Sequence, residues 1–131
     1  MNIALTLCHQ DYGAVIFDLD GVLTNTAQLH ASAWKKVFDN FLLQTAQNKG
    51  TPFIPFDTDM DYLVYLDGKP HYDGASAFLK SRGINLPWGS PEDGPDVQSI
   101  CGLGNLKDSY FISHLQQKVI EVYESSVALV R

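Results

Sequence analysis

The sequence predicts an α/β chain in which one buried strand feeds an acidic turn and a mostly helical remainder follows. Three observations predict it. Ala14-Val15-Ile16-Phe17, with Leu19, has the near-continuous apolar pattern of a strand covered on both faces. Asp18-Leu19-Asp20-Gly21 then sets two carboxylates two residues apart, beside a glycine that turns the backbone sharply at no steric cost. Thr24, Asn25 and Thr26 are all good helix N-caps. The order of strand, acidic turn and helix puts Asp18 and Asp20 at the carboxyl end of a strand, the edge where open α/β sheets bind ligands.

The other elements follow in chain order. Residues 26–43 read as a helix, because Leu29, Ala33, Trp34, Val37, Phe38, Phe41 and Leu42 form one apolar stripe. Gln44–Gly50 is polar and ends in glycine, a stop signal. Pro52 and Pro55 exclude a helix over 51–55. Asp57, Thr58 or Asp59 can cap a helix over 59–66, with Met60, Leu63 and Val64 as its inner face. Asp73–Arg82 reads as a helix with Ala75, Phe78 and Leu79 inward and Gly83 just past its end. Residues 84–95, with their prolines and glycines, form a loop, and Asn105–Gln117 forms a further helix with Leu106, Phe111 and Leu115 inward. Gly102 and Gly104 read as turn-shaping residues, since a lone G-x-G says little about phosphate. Met1–Cys8 is a second, weaker extended segment.

Composition narrows the function. The 131 residues are 45% hydrophobic, enough for one core. Fifteen acids against nine bases give a net charge of −6, with no basic patch interleaved with aromatics, which argues against nucleic acid as a partner. No run approaches a membrane-spanning length, and the short apolar start lacks the basic residues of a signal peptide. Cys8 and Cys101 make no metal-ligand pattern and read as reduced thiols of a cytoplasmic protein.

The string FDLDGVLTNTAQLHASAWKKVF, followed by DGKPHYDG, SRGI and GLGN, resembles the haloacid dehalogenase superfamily, in particular its β-phosphoglucomutase-like hydrolase branch. The resemblance covers roughly residues 13–131. It implies a Rossmannoid α/β core, represented here by its first strand, with an inserted α-helical cap. Residues 1–24 would be the first strand and catalytic turn, 25–118 the cap, and 119–131 a truncated return to the core through Val122-Tyr123-Glu124. The superfamily's later Ser or Thr, its Lys and its second acid pair have no counterpart in order here, so the chain reads as the N-terminal part of a longer enzyme.

The resemblance also implies roles. Asp18 would be the nucleophile, forming an aspartyl-phosphate, and Asp20 the general acid and base. Both would contribute to Mg²⁺ binding, Asp20 through its backbone carbonyl. His30 and Trp34 share a helix face one turn apart, and residues at matching positions in the mutases lie near the cap–core junction. His71 stands where related sequences tend to carry Arg, which clamps phosphate in a way a histidine does not. Lys69 and Lys107 are candidate substitutes for it.

Three functions follow from these expectations. One is Mg²⁺-dependent phosphoryl transfer on a sugar phosphate, as a phosphatase or a phosphoglucomutase. Another is an inactive truncated product. The last is a non-catalytic helical binding module, completed by a partner chain recruited along the apolar edge at Ala14–Leu19.

Overall fold

The computed structural model describes residues 8–117 and 120–131. Its regular elements are α1 (Ala27–Lys49), a π-helical turn π1 (Tyr62–Leu66), α2 (His71–Ser81), α3 (Ile100–Gln117) and α4 (Glu124–Val130). Among the described residues the only β pairings are two isolated bridges, Asp20 with Thr24 and Thr24 with Val122. The expected strand over 14–19 therefore joins no ladder. Its backbone groups need a neighbouring strand, and none of the described residues supplies one. Apart from Cys8, the weaker extended segment at the N-terminus lies outside the described residues, as do residues 118 and 119, at the boundary between the expected cap and return segment.

The helices pack as a bundle in which α3 contacts both α1 and α2, and α2 also packs against π1. Its centre is aromatic. Phe38 lies 4.5 Å from Phe78 and 4.8 Å from Trp34 between ring centroids, and Phe56 meets Phe78 edge-on at 5.1 Å. Such tilted and edge-to-face pairs add to the gain from burial alone. The α1 stripe is buried at Trp34, Val37, Phe38 and Leu42, and it continues through Ala46. That continuation carries the helix six residues past the expected end at position 43, to a left-handed cap at Gly50.

Three local features matter for the site. First, the segment expected as a helix over 59–66 is π-helical, with the Asp67 amide bonded to the Tyr62 carbonyl. The wider turn rotates the inner face, so Tyr62, Tyr65 and Leu66 pack inward while Met60, Leu63 and Val64 are exposed. Second, α2 ends as expected: the Gly83 amide bonds Lys80 and the Ile84 amide bonds Leu79, a Schellman cap that requires the positive φ of Gly83. Third, α3 starts five residues before Asn105. Ser99 begins it, its hydroxyl accepting the Gly102 amide and donating to Asp93. Gly102 and Gly104 are thus helical and buried rather than turn residues. A Cβ on Gly102 would sit 2.0 Å from the Val97 carbonyl oxygen, and one on Gly104 would sit 2.6 Å from the Tyr72 ring.

Candidate active site

The acidic turn is built by backbone geometry. Gly21, with φ near 74°, donates its amide to the Thr24 carbonyl, and the Leu23 and Thr24 amides both bond the Leu19 carbonyl. The Leu19 amide binds Asp18 Oδ1 at 2.8 Å. The returning segment locks the turn from outside: the Asn25 amide donates to the Glu121 carbonyl, and the Tyr123 amide donates to the Leu23 carbonyl.

A cleft of about 420 Å³ opens beside this turn. Asp18, Asp20, His30, Trp34 and His71, the five site residues expected from the sequence, all line it, together with Tyr62, Asp67, Lys69 and Lys107. The turn supplies the two aspartates, α1 supplies His30 and Trp34, α3 supplies Lys107, and the chain entering α2 supplies Lys69 and His71.

Asp20 is held on both oxygens. Thr26, itself buried, donates its hydroxyl to Oδ1, and His30 Nε2 stands 3.4 Å from Oδ2. Behind His30, Lys107 Nζ lies 3.0 Å from Nδ1. An ammonium can only donate, so Nδ1 accepts and the imidazole proton sits on Nε2, facing Asp20. The imidazole stacks on Phe111 at 4.0 Å with the rings 9° from parallel. Burial, and then the Lys107 charge, hold His30 below its ordinary pKa of 6.5, while Asp20 pulls the other way. Lys107 is only 4% exposed, a buried ammonium. It is carried by Asp108 at 3.3 Å and by the faces of Phe111 and Trp34, 4.9 and 5.7 Å from the ring centroids.

On the opposite wall, His71 packs edge-on to Trp34 at 6.5 Å, and its Nε2 is buried without a hydrogen-bond partner. Lys69 binds the Val64 carbonyl at 3.0 Å, tying the π turn to the rim. Thr26, Phe111 and the linking role of Lys107 are what sequence reasoning missed. The capping string Thr24-Asn25-Thr26 marked the position of Thr26 but not the direction of its hydroxyl.

As oxygen donors, Asp18 and Asp20 suit Mg²⁺, which binds through one or two carboxylates and fills its remaining positions with water and substrate phosphate. Among the described residues no cluster of three or more acidic, histidine or cysteine side chains could hold a metal unaided.

No family model matches the chain. Over 113 residues, 86% of this chain, it is 45% identical to a protein named β-phosphoglucomutase from Mycobacterium tuberculosis. The chain is thus similar to proteins named β-phosphoglucomutase. A Bacillus subtilis β-phosphoglucomutase is 46% identical over 48 residues, 37% of the chain. An uncharacterized glycosyl hydrolase of M. tuberculosis is 40% identical over 116 residues, 8% of that much longer protein. The chain spans 43% of the length of the M. tuberculosis β-phosphoglucomutase. The relationship to the β-phosphoglucomutase-like branch of the haloacid dehalogenase superfamily, read from Asp18-Leu19-Asp20-Gly21 and the segments after it, is borne out. The helical architecture accords with a cap; the strand core of that fold is absent from the described residues.

Proposed function

We propose that this chain contributes the nucleophile, the general acid–base and the helical cap of an enzyme that transfers phosphoryl groups on a sugar phosphate. The observation that carries the reading is the fixation of Asp20 by Thr26 and His30 in a cleft that Asp18 shares. An Asp18 oxygen attacks phosphorus as the bond to the leaving oxygen breaks, and protonated Asp20 gives that oxygen its proton. Asp20 then takes the proton of the water or sugar hydroxyl that opens the aspartyl-phosphate. Water yields a phosphatase and a sugar hydroxyl a mutase. Bound Mg²⁺ would offset the charge of the incoming phosphate. The neutral His30, its tautomer set by Lys107, keeps the Asp20 carboxyl aimed at the oxygen it protonates.

The 131 residues alone should turn over little. They carry no match to the family's later Ser or Thr, Lys and second acid pair. Removing one electrostatic donor elsewhere costs about 2.7–4 kcal/mol, and losing several together leaves little catalysis even though such losses do not simply add. The inactive truncated product is therefore the second reading, favoured by that missing set.

The test is phosphate release and sugar-phosphate isomerisation by the purified chain, with Mg²⁺ and with EDTA, beside Asp18→Asn. The same assays are run on the chain joined to the remainder of its M. tuberculosis relative. We expect Mg²⁺-dependent turnover only in the joined protein, abolished by Asp18→Asn. Turnover that survives Asp18→Asn or EDTA overturns the proposed chemistry.

A further inference from the structure

The two walls of the cleft are charged differently. On one, the acidic turn stands with Lys107, whose ammonium lies behind His30. On the other, π1 and the chain entering α2 present Tyr62, Asp67, Lys69 and His71. Neither basic side chain of this second wall is free: Lys69 Nζ binds the Val64 carbonyl at 3.0 Å, and His71 Nε2 is buried. The Asp67 carboxylate is exposed and makes no hydrogen bond or ion pair among the described residues. Asp67 joins the fold through its main chain, its amide donating to the Tyr62 carbonyl. Its charge is felt within the cleft. Burial first, and then the Asp67 and Asp20 charges, hold the Tyr62 phenol above its ordinary pKa of 10.0.

We propose that Asp67 is a specificity residue: it accepts hydrogen bonds from the hydroxyls of a sugar bearing one phosphate, repels a second phosphate and so commits the site to hydrolysis. A mutase that works through an aspartyl-phosphate passes through a bisphosphate. A hydroxyl of the bound sugar phosphate attacks the phosphorus on Asp18, the bond from Asp18 to phosphorus breaks, and the hydroxyl proton goes to Asp20. The product then carries one phosphate at the turn and another against the far wall. That wall offers the second phosphate an unpaired carboxylate and an ammonium already engaged, so like charges meet. Hydrolysis makes no such demand. Water attacks the same phosphorus, its proton goes to Asp20, inorganic phosphate leaves, and the far wall meets only the sugar. There a carboxylate is well matched, because hydroxyls donate to it in charge-assisted bonds. The proposal rests on the reading of Asp18 and Asp20 above and names its substrate class, a neutral polyol carrying a single phosphate.

The isolated chain is expected to turn over little, so sugar phosphates persist in its presence as binding probes. Glucose monophosphate, glucose bisphosphate and inorganic phosphate are titrated, with Mg²⁺, into the wild type, Asp67→Asn and Asp18→Asn. Binding is followed by the NMR resonances of Tyr62, Lys69 and His71. The wild type should bind the monophosphate more tightly than the bisphosphate. Asp67→Asn should weaken the monophosphate and tighten the bisphosphate, each about three- to tenfold. The gain for the bisphosphate should shrink at high salt, and inorganic phosphate should be indifferent to the change. A damaged fold lowers both affinities together, so opposite signs identify a charge acting on the ligand. Asp18→Asn should leave the preference for the monophosphate in place, so failure of the nucleophile reading and failure of this one are distinguishable. In the joined protein, phosphate release should outrun isomerisation. A bisphosphate that binds the wild type more tightly than the monophosphate overturns the proposal. So do changes of the same sign for both ligands in Asp67→Asn, binding of neither sugar phosphate, or isomerisation as the main reaction of the joined protein.

Discussion

Lys107 Nζ reaches His30 Nδ1 at 3.0 Å across 77 residues of chain, and through it α3 fixes the orientation of an imidazole on α1. Sequence proximity gives no hint of this link. It turns a buried ammonium into part of the support for Asp20, and it makes the helical packing and the acidic turn one system.

Thr26→Val removes the hydroxyl that Asp20 Oδ1 accepts while keeping the side chain's shape. A hydrogen bond to a charged group contributes about 1.5–3 kcal/mol, so kcat in the joined enzyme should fall roughly ten- to hundredfold. Thr26→Ser should restore it. Steady-state kinetics on the three proteins check this, and an unchanged kcat in Thr26→Val would remove Thr26 from the mechanism.

Stability should depend on pH through His30. Its folded-state pKa is depressed, chiefly by burial and then by the Lys107 charge, below 6.5. As pH falls through 6.5, the unfolded chain takes up a proton at this position before the folded one does. Stability rises with pH wherever the unfolded state binds more protons, so the His30 contribution is complete above 6.5 and drains away below it. Urea midpoints from about pH 7.5 down to about pH 5 should fall more steeply in the wild type than in His30→Gln.

The two buried glycines of α3 should differ in their response to alanine. Alanine gains about 1 kcal/mol of helix propensity over glycine, whereas overpacking costs about 1–3 kcal/mol. At Gly104 the obstacle is the Tyr72 ring, which is tied to Asn105 by a 2.7 Å hydrogen bond. At Gly102 it is the backbone carbonyl of Val97, on a loop pinned by Ser99, Asp93 and Asn105. Thermal unfolding should therefore show Gly102→Ala as the more damaging change.

Ser99→Ala should destabilise by about 1 kcal/mol for the lost cap. The Asp93 carboxylate, held below the usual carboxylate range first by the Ser99 hydroxyl and then by the Ser90 amide, would also lose its leading partner. Asp93 contributes above its ordinary pKa and loses that contribution as pH falls through the folded value, so the gap between wild type and Ser99→Ala should narrow in acid. Urea titrations at neutral pH and near pH 3 test both parts.

Much of the helical packing was legible because its signals are local. Ala75, Phe78 and Leu79 fall at helical spacing and are all fully buried, and Gly83 announces the end of α2. The face carrying Met60, Leu63 and Val64 was misread because a single π turn shifts the angular register, and nothing in the apolar pattern encodes that shift. Asp18, Asp20, His30, Trp34 and His71 were legible as candidates because residue type and spacing suggest chemistry. Their supports were not. The Thr26 hydroxyl direction and the Lys107 contact are decided by tertiary packing, and a lysine in a polar-looking segment reads as solvated until Phe111 and Trp34 are seen around it.

The stack of His30 on Phe111 gives the molecule a built-in spectroscopic gauge. With the rings 4.0 Å apart and nearly parallel, the carbon-bound imidazole protons lie within the phenyl ring current and should resonate upfield of their free positions. That displacement vanishes if α3 slides or lifts from α1. One histidine resonance thus reports, at equilibrium and without substrate, the fraction of molecules in which the support behind Asp20 is assembled.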